Sequence, residues 1–365
     1  MTSTNMDSGR IVGRWHEALP SGKVRCTLCP RGCELHDGQR GFCFVRERCG
    51  NDIVLTSYGR ASGFCIDPIE KKPLFHFYPG SSVLSFGTAG CNLGCKFCQN
   101  WDISKARDTH RLGSVCSPDD VADAARHWNC RSVAFTYNDP VIFAEFAIDT
   151  AKACRRQGVK SVAVTAGYIQ KAARKAFFAE MDAANIDLKA ITPSFYRGLC
   201  AADIEPVKET LRYVARETST WLEITTLLIS GQNDSPSDIA RLADFVLREV
   251  GPEVPLHFTA FHPDYRMMDV PRTPTQTCIA AREIARSIGL KHVYTGNVDD
   301  VDGQSTYCSS CGCRLVIRRG YEVSPDGLDR CLCKRCSAPW SGRVDPKGLG
   351  TFGPRRIPIE IRSRP

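Results

Sequence analysis

Between Val83 and Val298, short runs of β-branched and aromatic residues alternate with longer stretches whose apolar positions recur every three or four residues. The first pattern marks strands and the second amphipathic helices, so the alternation predicts βα units around a parallel sheet. Seven strands are predicted, over residues 83–87, 132–137, 161–165, 186–190, 222–229, 256–261 and 292–295. Most starts fall about 30 residues apart, the size of a βα unit. Ser117-Pro118, Asp139-Pro140, Ser235-Pro236 and Thr273-Pro274 read as helix starts. Each pairs a capping side chain with a proline at the first helical position, where a missing N–H costs nothing. Phe143, Ala147, Ile148, Ala151 and Cys154 form the stripe that would face the sheet.

Such a chain can close into a barrel or open into a doubly wound sheet, and in both the C-terminal strand ends build the site. Polar residues collect there. Thr136 lies near the end of the second strand with Asn138 and Asp139 just after it, Asp187 and Lys189 lie on the fourth, and His262 follows the sixth. Glu223, Thr225 and His257 are candidates by position, with buried structural hydrogen bonding as the alternative.

Composition narrows the class. The 365 residues are 42% hydrophobic and 24% charged, enough for one large core or two and unlike a disordered polymer. No run of about 18 apolar residues occurs and residues 1–15 are polar, so a cytoplasmic protein with no membrane partner is expected. Twenty cysteines are too sparse for a disulfide scaffold, which needs roughly 8–10%, and in a reducing compartment they point to metal. Four fall within 26–43, three within 91–98 and six within 308–336, while seven stand alone and read as small buried hydrophobes. The net charge of +8 raises nucleic acid as a partner, but half of the excess lies in residues 341–365, a Gly- and Pro-rich stretch that reads as a basic flexible tail.

The first strand runs into Cys91-Asn-Leu-Gly-Cys95-Lys-Phe-Cys98, a C-x3-C-x2-C triplet. Three thiolates on one loop can each hold one iron of a cubane [4Fe-4S] cluster, and the missing fourth ligand leaves one iron open for a substrate or cofactor. A structural zinc or redox-silent cysteines are the alternatives. The triplet, with Phe97 just before its last cysteine, resembles that of the radical S-adenosylmethionine (SAM) enzymes. The resemblance implies a partial (β/α)6 barrel, a [4Fe-4S] cluster on Cys91, Cys95 and Cys98, and SAM on the open iron. It also implies one-electron cleavage of SAM to a 5'-deoxyadenosyl radical that abstracts hydrogen from substrate, with a reductase, flavodoxin or ferredoxin as electron donor.

Longer stretches around His76, Thr136-Tyr-Asn-Asp-Pro140, Asn185-Ile-Asp-Leu-Lys189 and Phe258-Thr-Ala-Phe-His-Pro-Asp-Tyr265 are similar to the AmmeMemoRadiSam-system radical SAM enzymes, relatives of the pyruvate formate-lyase activating enzymes. That likeness implies Memo-family and AMMECR-family proteins as pathway partners and leaves open whether the substrate is a small molecule, a protein or RNA. Residue by residue, Thr136, Asn138 and Asp139 stand where relatives receive the SAM amino group, although relatives carry Glu at the last position. Asp187 and Lys189 stand where a lysine reaches the SAM carboxylate, and Phe261-His262 where an aromatic-His pair lies near adenosine. Capping by Asp139, a core ion pair of Asp187 with Lys189 and an ordinary loop histidine at 262 are the plainer roles. Ala166 replaces a common Asn and receives no contact.

Two further cysteine groups flank the barrel. Cys308, Cys311, Cys333 and Cys336 form two CxxC knuckles around a hairpin-like stretch, a zinc-ribbon or rubredoxin-like module for zinc or iron, with Cys313 and Cys331 as alternative ligands. Cys26, Cys29, Cys33 and Cys43 suit zinc or an auxiliary iron–sulfur cluster, or are reduced thiols on a loop. The expected organisation is α/β: an N-terminal Cys-rich segment at 1–80, the barrel at 81–300, the metal module at 301–342 and the tail at 343–365. Two other functions compete: a glycyl-radical activase, and a zinc-ribbon nucleic-acid binder.

Overall fold

The computed structural model describes residues 9–107 and 114–361. All seven expected strands form, within one to three residues of the expected bounds. With the strand ahead of them they are β1 (Arg60–Pro68), β2 (Ser82–Gly87), β3 (Ser132–Phe135), β4 (Lys160–Thr165), β5 (Ala183–Asp187), β6 (Trp221–Leu228), β7 (Leu256–Ala260) and β8 (Val293–Gly296). From β2 to β8 each strand pairs in parallel with the next in sequence. The described residues contain no ladder between β8 and β1, so the sheet is open between these edges. Its parallel run has seven strands, one more than the six the resemblance implies.

Helices cover the outer face and begin largely where the caps predict. Ser117 and Asp120 form a reciprocal capping box for Pro118–His127, and Ser235 caps Pro236–Phe245. Asp139 caps a 3-10 turn, Pro140–Phe143, that leads into Ala144–Arg156, whose Ala147, Ile148, Ala151 and Cys154 are buried. Thr273 is no cap: its hydroxyl donates to the Leu228 carbonyl at 2.6 Å, and Thr275–Ile288 starts without a side-chain cap.

Two expected boundaries change. The large sheet begins inside the segment assigned to the N-terminus, because β1 runs antiparallel along the outer edge of β2 and covers what would be an open edge. The remainder of that segment, 11–55, forms two small three-stranded antiparallel sheets. The basic tail is also not free through its described part. Arg343, Gly350 and Phe352 N–H groups donate to the carbonyls of His76, Pro79 and Gly80 at 2.7, 2.8 and 2.9 Å, and Ile357–Pro358 pairs with β1. Its glycines allow this: Gly80 and Gly350 cross so closely that a Cβ on either collides with the other's carbonyl. Arg362 and Arg364 lie outside the described residues.

The C-terminal module has its own small core of Leu315, Val316, Leu328 and Trp340 around the antiparallel strands Arg314–Arg319 and Glu322–Pro325. It is anchored to the barrel by Arg318, fully buried, which donates to the Phe75 carbonyl and the Thr306 hydroxyl, both at 2.6 Å.

Candidate functional site

A cavity opens at the C-terminal ends of the parallel strands, enclosing about 1420 Å³ free of protein atoms, counting its mouth. The loop after β2 supplies one wall through Cys91, Cys95, Phe97 and Cys98. Thr136, Asn138 and Asp139 line it from the end of β3, and Asp187 and Lys189 from the end of β5. The three cysteines and five strand-end polar residues named from the sequence thus meet in one place.

The loop is held from several sides. Asn138 donates to the Gly90 carbonyl at 2.8 Å and accepts from the Thr88 N–H at 3.2 Å, which ties β3 to the residues just before Cys91. The N–H groups of Gly94 and Lys96 donate to the carbonyls of Cys200 and Leu199 at 2.8 and 2.9 Å. Those bonds set the Cys200 thiol against Cys95, and its hydrogen bond holds the Cys95 thiol below the ordinary thiol range. Cys98 lies 3.1 Å from the Ser104 hydroxyl, and burial pushes the Cys91 thiol up to about 12. Three buried or half-buried sulfurs on one loop, beside the cations of Lys105 and Lys189, suit a metal–sulfur cluster, whose binding releases the thiol protons.

Asp139 is fully buried, and burial raises its carboxyl to about 6. Its Oδ1 accepts from Val141 N–H at 3.0 Å and the Thr165 hydroxyl at 2.9 Å, its Oδ2 from Ala166 N–H at 3.1 Å. A carboxylate oxygen has two acceptor positions, so Oδ2 keeps one while Asp139 caps the turn. Lys189 pairs with Asp187 at 2.9 Å; burial opposes its charge, but Asp187 and the Cys95 and Cys200 thiols hold it well above the ordinary range.

The positional candidates on β6 and β7 divide. Glu223 lies outside the cavity wall and is saturated by the N–H groups of Phe75 and His76, the Trp221 indole and His257 at 2.7–3.1 Å, a structural role it shares with His257. Thr225 does line the cavity, and its buried hydroxyl has no partner among the described residues. His262 does not join the wall: its ring is 53% exposed and meets Gln99 at 2.8 Å at the rim. Sequence reasoning missed Thr259, Asn297 and Tyr321 in the cavity wall, the last reaching it from the C-terminal hairpin, and Cys200 outside the wall against Cys95; only Cys200 carried a signal, as a cysteine.

At the C-terminal module the sulfurs of Cys308, Cys311, Cys333 and Cys336 all lie within 4.8 Å of one another, with the pairs 308–336 and 311–333 at 3.7 Å. Four thiolates bound to one zinc at about 2.3 Å stand about 3.8 Å apart, so this set can hold a single metal ion. Cys313 is a further thiol 3.2 Å from Cys333.

The sequence model of the Radical SAM superfamily matches residues 86–246. An uncharacterized protein of Methanocaldococcus jannaschii is 41% identical over 322 residues, 88% of this chain and 95% of that one. Pyruvate formate-lyase 1-activating enzyme of Escherichia coli K12 is 23% identical over 192 residues, 50% of this chain and 75% of the enzyme. Among solved structures, a radical SAM methyltransferase from Sphaerobacter thermophilus aligns with a TM-score of 0.48 at 14% identity, over 84% of this chain and 81% of that one.

Proposed function

We propose that this chain, whose residues 86–246 match the Radical SAM superfamily, is a radical SAM enzyme of the AmmeMemoRadiSam type, with its chemistry in the cavity at the strand ends. The observation that carries this reading is the convergence of Cys91, Cys95 and Cys98 with Asp139, Asp187 and Lys189 on that one cavity. Cys91, Cys95 and Cys98 would hold a [4Fe-4S] cluster, which would supply the one-electron reduction of SAM on which radical SAM chemistry depends.

The chain's own groups then have distinct tasks. Lys189, kept charged by Asp187, offers its ammonium to the SAM carboxylate. Asp139 offers the free acceptor position of Oδ2 to the SAM amino group, and an ammonium there favours the ionised carboxylate that burial disfavours. Asn138 and Cys200 position the loop without touching the reacting atoms. A one-electron donor such as flavodoxin or ferredoxin completes the cycle, and Memo-family and AMMECR-family proteins are the proposed pathway partners. The activase reading draws on a likeness that spans half of the chain, and the basic strap proposed for nucleic acid is engaged with β1.

The test is anaerobic reconstitution of the wild type and of a Cys91→Ala, Cys95→Ala, Cys98→Ala variant, followed by iron per chain and 5'-deoxyadenosine released from SAM after chemical reduction. Release by the wild type alone is expected. A fully loaded wild type that releases none overturns the reading.

A further inference from the structure

We propose that Cys26, Cys29, Cys33 and Cys43 hold a second iron–sulfur cluster, an all-cysteine [4Fe-4S], directly behind the loop that carries Cys91. All four line one small cavity, together with Arg46 and Asn92. The first three come from a single tight turn, in which Cys26 N–H donates to the Cys33 carbonyl at 2.9 Å and Gly32 N–H to the Cys29 carbonyl at 3.2 Å. The fourth arrives on the loop closed by Gly41 N–H donating to the Arg46 carbonyl at 2.8 Å. The cysteines are free thiols, so no disulfide competes for them.

Sulfur spacing separates this set from the C-terminal one. Cys308, Cys311, Cys333 and Cys336 converge to within 4.8 Å, as ligands of one tetrahedral ion must; no three of Cys26, Cys29, Cys33 and Cys43 come that close together. In a cubane each thiolate binds a different iron at a different corner, so its four thiolates stand farther apart around a filled centre. Four cysteines that line one cavity without closing to the spacing of the C-terminal set have that form. One chain therefore carries two kinds of cysteine site: a mononuclear one at its C-terminus and a cluster at its N-terminus.

The location ties the second cluster to the first. Cys91 lines the strand-end cavity and the next residue, Asn92, lines the N-terminal one. Arg31, between Cys29 and Cys33, donates to the carbonyls of Asn92 and Ala201 at 2.5 and 2.6 Å. Gly90 passes so close to the Cys43 carbonyl that any Cβ there collides with it. The two cysteine loops are packed back to back, with one peptide forming part of both sites.

The experiment uses the full chain with Cys91, Cys95 and Cys98 changed to Ala, reconstituted with iron, sulfide and zinc all present. Iron, zinc and acid-labile sulfide are counted per chain, because a single-ion site takes up no sulfide. The expected result is about four sulfides per chain, lost when Cys29→Ser and Cys33→Ser are added. A variant that folds by circular dichroism and holds no sulfide, with zinc or with nothing at the N-terminal set, overturns the proposal. If that variant does not fold, the wild type decides: about eight sulfides per chain support the second cluster and about four refute it. None of these counts depends on SAM cleavage, so failure here is distinguishable from failure of the proposed function.

Discussion

Arg46 and Glu145 form a fully buried ion pair, with Nη1 and Oε1 3.0 Å apart, that joins the N-terminal cysteine segment to the helix Ala144–Arg156. Arg46 Nε also donates to the Ile142 carbonyl at 3.1 Å, and Glu145 accepts from the Arg14 N–H at 2.8 Å. Removing one partner of such a pair strands the other charge in the interior, a loss of about 3–5 kcal/mol. Arg46→Met is expected to lower the unfolding free energy by that amount, and Arg46→Met with Glu145→Met to recover most of it. Chemical denaturation of both variants checks this, and a single variant as stable as wild type would refute it.

Asn138 is expected to act on the metal rather than on SAM. Asn138→Ala leaves the Gly90 carbonyl and the Thr88 N–H buried without their partner, at about 1–3 kcal/mol. Both groups immediately precede Cys91, so the loop loosens. Iron retained after gel filtration should fall in Asn138→Ala, with a smaller fall in Asn138→Asp, which keeps the acceptor. Full iron retention with weakened SAM affinity would instead make Asn138 a cofactor contact.

The strands were legible because buried parallel strands are short β-branched runs, and the strand-end polar residues because each interrupts such a run. What stayed hidden are contacts made across long sequence distances or by the backbone alone. Thr273 has the sequence of a cap, yet its hydroxyl is taken by a carbonyl 45 residues away. Glu223 has the composition of a catalytic carboxylate, and its saturation by Phe75 and His76, 147–148 residues away, leaves no local trace. The strap over 343–361 binds β1 largely through main-chain groups, which no side-chain pattern records.

A pH dependence follows from Glu70, whose carboxyl burial raises to about 7. Its Oε1 accepts from the Gly80 N–H at 2.7 Å, while Oε2 is buried without a partner among the described residues. Because the folded value lies above the unfolded one, the folded chain binds the extra proton. Stability from this group therefore rises as pH falls from about 7 toward the ordinary glutamate value of about 4.3. Glu70→Gln keeps the acceptor and removes the buried charge. Its melting temperature should exceed the wild type's at pH 8, and the gap should close by pH 5; a gap independent of pH would exclude Glu70 as its source.

Metal removal should act locally at the C-terminal module. Structural metal at a four-thiolate site contributes about 10 kcal/mol or more to a module this small. A chelator is expected to raise amide hydrogen exchange across residues 306–340, and across 73–77, because Arg318 is fixed to the Phe75 carbonyl. Exchange in β3 to β6 should stay unchanged. A chelated protein with the same melt and the same exchange over 306–340 would mean that its hydrophobic core holds the module alone.

Thr225 separates folding from chemistry within the cavity. It stands between Asp187 and His257 in the sheet register, its hydroxyl is buried without a partner, and it faces the space where SAM and substrate are proposed to meet. An unpaired buried hydroxyl costs folding free energy, and valine fills the same volume without one. Thr225→Val is therefore expected to leave the fold as stable as wild type or about 1 kcal/mol more stable. If the hydroxyl serves a bound molecule, the same substitution should weaken SAM binding by about tenfold, the value of one hydrogen bond. Calorimetric SAM titration of the reconstituted protein, set beside its thermal melt, reads both quantities. Unchanged affinity would show that the hydroxyl does not serve SAM, whereas a destabilised variant would show that it has a structural partner.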